Sequence, residues 1–210
     1  MNVETRQEGT AMSARDVVTA TIKREHYALE MVLAVLQRLI GDIAEQRAEP
    51  DFALFSAALY YIDDFPERCH HPKEDEYLFK VLRQRTTRHN AVLDDLQAEH
   101  IRSAQMAGYL QRALVHYQGG AAGGLKLFGA AVDAYAGMLR DHMRKEDELL
   151  EQAGQDLAEE DWSAIAAAFD ANDDPLFGKN QRAEFNKLYL RIINLLPRKM
   201  SMPLRGDRQE

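Results

Sequence analysis

Residues 128–153 read FGAAVDAYAGMLRDHMRKEDELLEQA, and Phe128, Val132, Tyr135, Leu139, His142, Glu146, Leu149 and Ala153 step through them by alternating fours and threes. At 3.6 residues per turn such a spacing keeps returning to one face, so these positions form the buried stripe of an α-helix. Two polar groups, His142 and Glu146, stand on it one turn apart where core residues belong.

The stripe recurs upstream. Ile22, Leu29, Leu33, Leu36 and Ile40 repeat at the same intervals, with His26 between Ile22 and Leu29. Further on, Leu93 and Leu96 lead to His100, then to Ala104, Ala107 and Leu114. A fourth stretch runs from Phe55, Leu59 and Ile62 through Pro66 to His70, Glu74, Tyr77 and Val81. Pro66 and Pro72 each remove a backbone donor and crowd the preceding turn, so this helix is expected to kink or restart near them. Four helices are thus predicted at roughly 13–45, 51–85, 87–118 and 125–154, with Ser13 as the first N-cap and GGAAGG at 119–124 as the last connection. Short connections make neighbours antiparallel, and the expected fold is all-α, an up-down-up-down four-helix bundle.

Beyond the bundle, Trp162, Ile165 and Phe169 mark one short amphipathic helix, and Phe185, Leu188, Ile192 and Leu195 another, with the breaker Asn172-Asp173-Asp174-Pro175 between them. Both are expected to pack on the bundle, a dimer face being the alternative. The expected division is a flexible N-terminus at 1–12, the bundle at 13–155, a helical extension at 156–196 and a flexible tail at 197–210.

In an antiparallel bundle His26, His70, His100 and His142 lie about 12–15 residues from one common end. At 1.5 Å per residue that places all four roughly 18–23 Å above it, with Glu74 and Glu146 about a turn lower. A lone histidine on an apolar face is ordinarily a satisfied core residue. Four imidazoles and two carboxylates at one level would instead leave several polar groups without partners, at a cost of several kcal/mol. A metal removes that cost. Six imidazole and carboxylate donors without a thiolate exceed what one tetrahedral zinc uses, imidazole suits iron, and carboxylates bridge. A two-metal centre follows, with Glu74 and Glu146 placed to bridge and His26, His70, His100 and His142 as terminal ligands. Two divalent ions on two carboxylates leave positive charge for a hydroxide or a bound anion to offset.

His26, the segment CHHPKEDEYLF at 69–79, Glu99-His100 and HMRKEDE at 142–148 together resemble the hemerythrin-like (HHE cation-binding) family over about 15–155. The resemblance implies a four-helix bundle holding two non-haem iron ions, bridged by Glu74, Glu146 and an oxo or hydroxo group. Family roles range over dioxygen carriage, sensing of oxygen, nitric oxide, redox state or iron, and repair of iron–sulfur clusters. Oxygen carriers of the family are similar to a pattern with a fifth histidine one turn from that of the third helix, and an aspartate five residues after the last. Here those places hold Leu96 or Ala104, and the last carboxylate is Glu146 at four. The reading therefore leans to a protein that binds or responds to oxygen, nitric oxide, peroxide or iron, in sensing, stress protection or iron handling. A di-iron enzyme turning over peroxide or nitric oxide is the alternative, and zinc or manganese loading stays open. The ferritin-like di-metal class needs two Glu-x-x-His turns. Glu67 to His70 has that spacing, but Leu139 stands three before His142.

Other polar residues are expected outside the centre. His71, turned about 100° from His70 on an ideal helix, is expected to face solvent or stand behind the ligands, with ligation the lesser reading. His89 lines the bundle end, and His116 and Tyr117 close the third helix. Tyr27 and Tyr77 adjoin ligands and either pack or hydrogen-bond there. Cys69, the single cysteine, excludes an internal disulfide and is expected to be a small hydrophobe rather than a redox switch. With 46% hydrophobic residues among 210 and a net charge of −8, the chain is long enough for a full core and lacks the basic balance of a nucleic-acid binder. No stretch has the length and apolarity of a membrane span, and the opening leads into no secretory apolar region. The expected partners are a small diatomic or peroxide ligand, with no nucleic acid and no membrane, in a cytoplasmic monomer or homodimer.

Overall fold

The computed structural model describes residues 12–195 apart from residue 179. The flexible N-terminus expected at 1–12 lies, but for Met12, outside the described residues, as does the tail expected at 197–210. Among the described residues all regular structure is helical. Helix α1 (Ala14–Ala44) opens at Ser13, whose hydroxyl accepts the Asp16 N–H at 3.1 Å, satisfying one of the first-turn donors. Helix α2 runs over 52–85, opening where Asp51 accepts the Leu54 N–H at 3.1 Å. Helices α3 (Asn90–Gln118) and α4 (Gly124–Ala153) are joined through Gly120 and Gly123, whose φ of 73° and 74° suit glycine. A Cβ on Gly124 would lie 2.8 Å from the Tyr117 Cα, so this connection also needs glycine for closeness. Helix α5 (Glu159–Asp170) and, after a 3-10 turn at Ala183–Phe185, helix α6 (Asn186–Leu195) complete the fold.

The second helix departs from expectation. It neither breaks nor restarts at its prolines but continues through π-helical turns at Pro66–His70 and Glu74–Phe79, with one α-helical turn at His71–Lys73 between them. A proline deprives the carbonyl four residues back of its donor, and the helix absorbs the loss by widening. The His70 N–H accordingly reaches back five residues, to the Phe65 carbonyl at 3.0 Å.

Packing pairs α3 with α4, α1 with α4 and α2 with α3, while α5 lies on α1 and on the second π turn, and α6 on α1 and the start of α2. The apolar interior is split. One cluster contains Leu29, Leu33 and Leu36 of α1, Phe55 and Leu59 of α2, Leu110 and Leu114 of α3, and Phe128 and Leu139 of α4, with Phe185, Leu188 and Ile192 added by the extension. The other contains Val18 and Ile22, Phe79 and Leu82, Leu93 and Leu96, and Leu149 and Leu150, joined by Trp162, Ile165 and Phe169 of α5. Each of the four long helices crosses from one cluster to the other at its histidine, and the direction of crossing alternates from helix to helix. Each large apolar side chain so buried contributes about 1.5–3 kcal/mol. Two such clusters clamp the polar layer between them from both ends. Among the described residues no helix is long and apolar enough to cross a membrane.

Candidate metal centre

His26 comes from α1, His70 and Glu74 from the widened part of α2, His100 from α3, and His142 and Glu146 from α4. None is more than 6% exposed. Glu146 stands at the middle: Oε1 is 3.2 Å from His142 Nε2 and 3.4 Å from His100 Nε2, and Oε2 is 3.2 Å from His26 Nε2. Glu74 faces it, with Oε1 3.3 Å from His70 Nε2 and Oε2 3.6 Å from His100 Nε2. The donors gather into two sets whose ligand atoms all lie within 4.8 Å of one another: His26, His70, Glu74 and Glu146, and Glu74, His100, His142 and Glu146. The two carboxylates belong to both.

The other ring nitrogens point outward, each to a carboxylate. His70 Nδ1 is 2.7 Å from Glu25, His100 Nδ1 3.2 Å from Asp75, His142 Nδ1 3.1 Å from Glu99 and His26 Nδ1 3.8 Å from Asp147. An acid on Nδ1 fixes that nitrogen as the protonated one and leaves Nε2 as an electron-pair donor, the arrangement that supports metal-binding imidazoles. The acids form a closed ring: α1 serves α2, α2 serves α3, α3 serves α4 and α4 serves α1. Each is also the chain neighbour of a converging residue, as in Glu25-His26, Glu74-Asp75, Glu99-His100 and Glu146-Asp147. One step along a helix turns a side chain by about 100°, from the bundle axis toward the next helix. This adjacent acid is a sequence signal that the apolar stripe alone does not single out.

Four oxygens, both of Glu74 and both of Glu146, are buried without a hydrogen bond, as are both ring nitrogens of His26. Each unsatisfied buried polar group costs about 1–3 kcal/mol, and more when charged, against a net domain stability of about 5–15 kcal/mol. The donor set and its orphaned atoms fit a cation. Without one, burial first and the neighbouring Glu146 next drive the Glu74 carboxyl well above its ordinary range. For Glu146 burial also acts upward, but His142, His100 and His26 together outweigh it and hold the group well below. Burial opposes protonation of His26 and His100, yet Asp147 and Glu146 raise the first to about 9, and Asp75 and Glu146 the second to about 9. Burial, assisted by the charge of His26, pushes His70 well down.

The extension reaches this layer. Lys73 donates to the Ala168 carbonyl at 2.6 Å, Asn172 donates to Glu25 at 3.4 Å, and the Phe169 ring meets the His70 ring edge-on at 6.4 Å. On the opposite side a groove of about 390 Å³ between α1 and α4, walled by Lys23, Tyr27, Arg140 and Met143, has His26 in its lining.

Two expectations need correction. His71 does not face solvent: it is 3% exposed and inside the bundle, because the wide π turns bring consecutive side chains to the inner face. Tyr77 is 41% exposed, because in the second π turn the inward place falls to Leu78 and Phe79, whereas Tyr27 packs on the first apolar cluster. His89 is buried away from the centre on Asp156 at 2.8 Å, and His116 is exposed. The Cys69 thiol, 3.7 Å from the Asp64 carbonyl, is pushed up by burial and so disfavours the reactive thiolate.

The family model of the hemerythrin HHE cation-binding domain matches residues 17–153. Comparison with curated proteins and with solved structures found no match.

Proposed function

The chain belongs to the hemerythrin HHE cation-binding domain family, and from that premise we propose that it is a di-iron protein that binds or responds to oxygen, nitric oxide, peroxide or iron. The observation that carries this reading is the convergence of Nε2 atoms from four helices on two carboxylates common to both donor sets. His26 and His70 would hold one ion, His100 and His142 the other, with Glu74 and Glu146 bridging. Iron in this place supplies redox change and affinity for small ligands. The protein supplies the rest: imidazoles oriented by acids, two apolar clusters that exclude bulk water, and the groove beside His26 as a way in for a small molecule. The alternating order in which the helices cross the clusters supports an up-down-up-down bundle. A cytoplasmic location, as monomer or homodimer, completes the reading.

The test is iron per chain after anaerobic reconstitution, followed by optical spectra on adding oxygen, peroxide and nitric oxide in turn. A single stoichiometric change marks sensing or iron handling, repeated consumption marks the enzyme alternative, and failure to hold iron refutes both.

Loading should release protons. His26 and His100, each raised to about 9, carry a second proton near neutrality in the metal-free chain, and ligation displaces it. Calorimetric titration near pH 7 in buffers of different ionisation enthalpy is expected to report on the order of two protons released per chain. Equal heats in all buffers would contradict this. An imidazole whose folded value lies above its unfolded one stabilises fully below the unfolded value, here 6.5, and loses that contribution as pH climbs through about 9. The melting midpoint of the metal-free protein should therefore fall between these limits, while that of the loaded protein falls less.

The oriented ring predicts a further effect. Glu25→Gln keeps the shape beside His70 but removes the charge, and it is expected to weaken iron binding by about 10–100-fold, as read in a chelator competition. Unchanged affinity would mean that Glu25 has no part in orienting His70.

A further inference from the structure

His71 is a buried histidine left over by the site described so far, and its surroundings copy those of the four converging imidazoles. Its ring stacks on that of His100, with centroids 4.3 Å apart and planes at 13°, and meets the His142 ring edge-on at 5.4 Å. One ring nitrogen from each of His71, His100 and His142 lies within 4.8 Å of the other two. His71 Nδ1 faces a carboxylate, that of Glu67, at 3.5 Å, without the geometry of a hydrogen bond. Glu67 is itself held in place: it accepts from Ser103 at 2.5 Å and from Tyr135 at 3.3 Å. An acid hydrogen-bonded to Nδ1 is the device found on His70, His100 and His142, and the looser approach of Glu67 to His71 matches that of Asp147 to His26 at 3.8 Å.

An imidazole so placed adds a third nitrogen to those of His100 and His142. A helix of ordinary pitch would have turned it outward, and the π turn at Pro66–His70 is what brings it in.

We propose that His71 is a fifth imidazole ligand, completing the ion of His100 and His142 and making the two iron ions inequivalent. The proposal rests on the di-iron reading above, and its test separates the two. Wild-type protein and His71→Phe, which keeps the ring stacked on His100 but removes its donor, are loaded with iron. Iron per chain, imidazoles per iron by X-ray absorption and Mössbauer spectra are then compared. The expected wild type has two irons and five imidazoles shared between them, with two distinct quadrupole doublets of equal area. The variant is expected to show four imidazoles, one displaced doublet, and a dissociation constant for one of its irons at least about tenfold higher. Two irons with the same imidazole count and spectra in both proteins would overturn the role of His71 and leave the di-iron reading intact. A wild type that holds no iron pair would instead overturn that reading. Should the phenylalanine variant not fold, Glu67→Gln, which leaves every imidazole in place, is expected to shift the same doublet without loss of iron. An unshifted spectrum there would also overturn the proposal.

Discussion

Glu146→Ala is expected to empty the centre of both ions, whereas His70→Ala is expected to lose one. Glu146 lies within 3.4 Å of His26, His100 and His142 and belongs to both four-residue donor sets, while His70 belongs to one. Removing the shared carboxylate takes a donor from each set and leaves Glu74 as the one carboxylate among the converging imidazoles. Metal that binds only the folded chain stabilises it by about 4 kcal/mol when its concentration is a thousandfold above the dissociation constant. For a domain of this size each kcal/mol moves the melting midpoint by roughly 2–4 °C, so the variant should melt about 8–16 °C below the iron-loaded wild type. It should also be indifferent to chelators that lower the wild-type midpoint. Iron content by mass spectrometry and melting by circular dichroism check both halves, and full iron occupancy in Glu146→Ala would remove the carboxylate from the centre altogether.

Trp162→Ala is expected to be the most destabilising change in the C-terminal extension. The indole is 2% exposed in the cluster that α5 shares with Val18 and Ile22 of α1 and with Leu149 and Leu150 of α4. Truncating a buried tryptophan costs about 3–5 kcal/mol through lost burial and the cavity left behind. The melting midpoint should fall by roughly 6–20 °C. Iron per chain at low temperature should stay at the wild-type value, because no acid of the oriented ring is held by Trp162. A midpoint within a degree of wild type would show that α5 is an accessory rather than part of the core. The point matters because residues beyond 153 lie outside the family match, yet Phe169 and Asn172 reach His70 and Glu25.

Much of the architecture was open to reading along the chain. The stripe from Phe128 to Ala153 and its counterparts through His26 and His100 identify three of the long helices within three residues of their observed ends. Both short C-terminal helices were also visible as stripes. The six candidate ligands stood out because a polar side chain on an apolar seam is costly unless something binds it, and the structure brings all six into one layer. The oriented ring was less visible. Glu25, Asp75, Glu99 and Asp147 look like ordinary solvated charges beside a seam, and only the placement of the neighbouring helix reveals that each meets an imidazole. For His71 and Tyr77 the ideal period itself misled, since two π turns lie upstream or between them.

Periodicity is a property of the backbone repeat, so the helices, their inward faces and the common level of their histidines could be derived from residue spacing with no knowledge of neighbours. Which acid meets which imidazole, and that His71 turns inward, depend on helix-to-helix placement and on how α2 accommodates Pro66 and Pro72. Those are energies of packing and of displaced hydrogen bonds between residues distant in the chain or on successive turns, and they take definite values only in the assembled bundle.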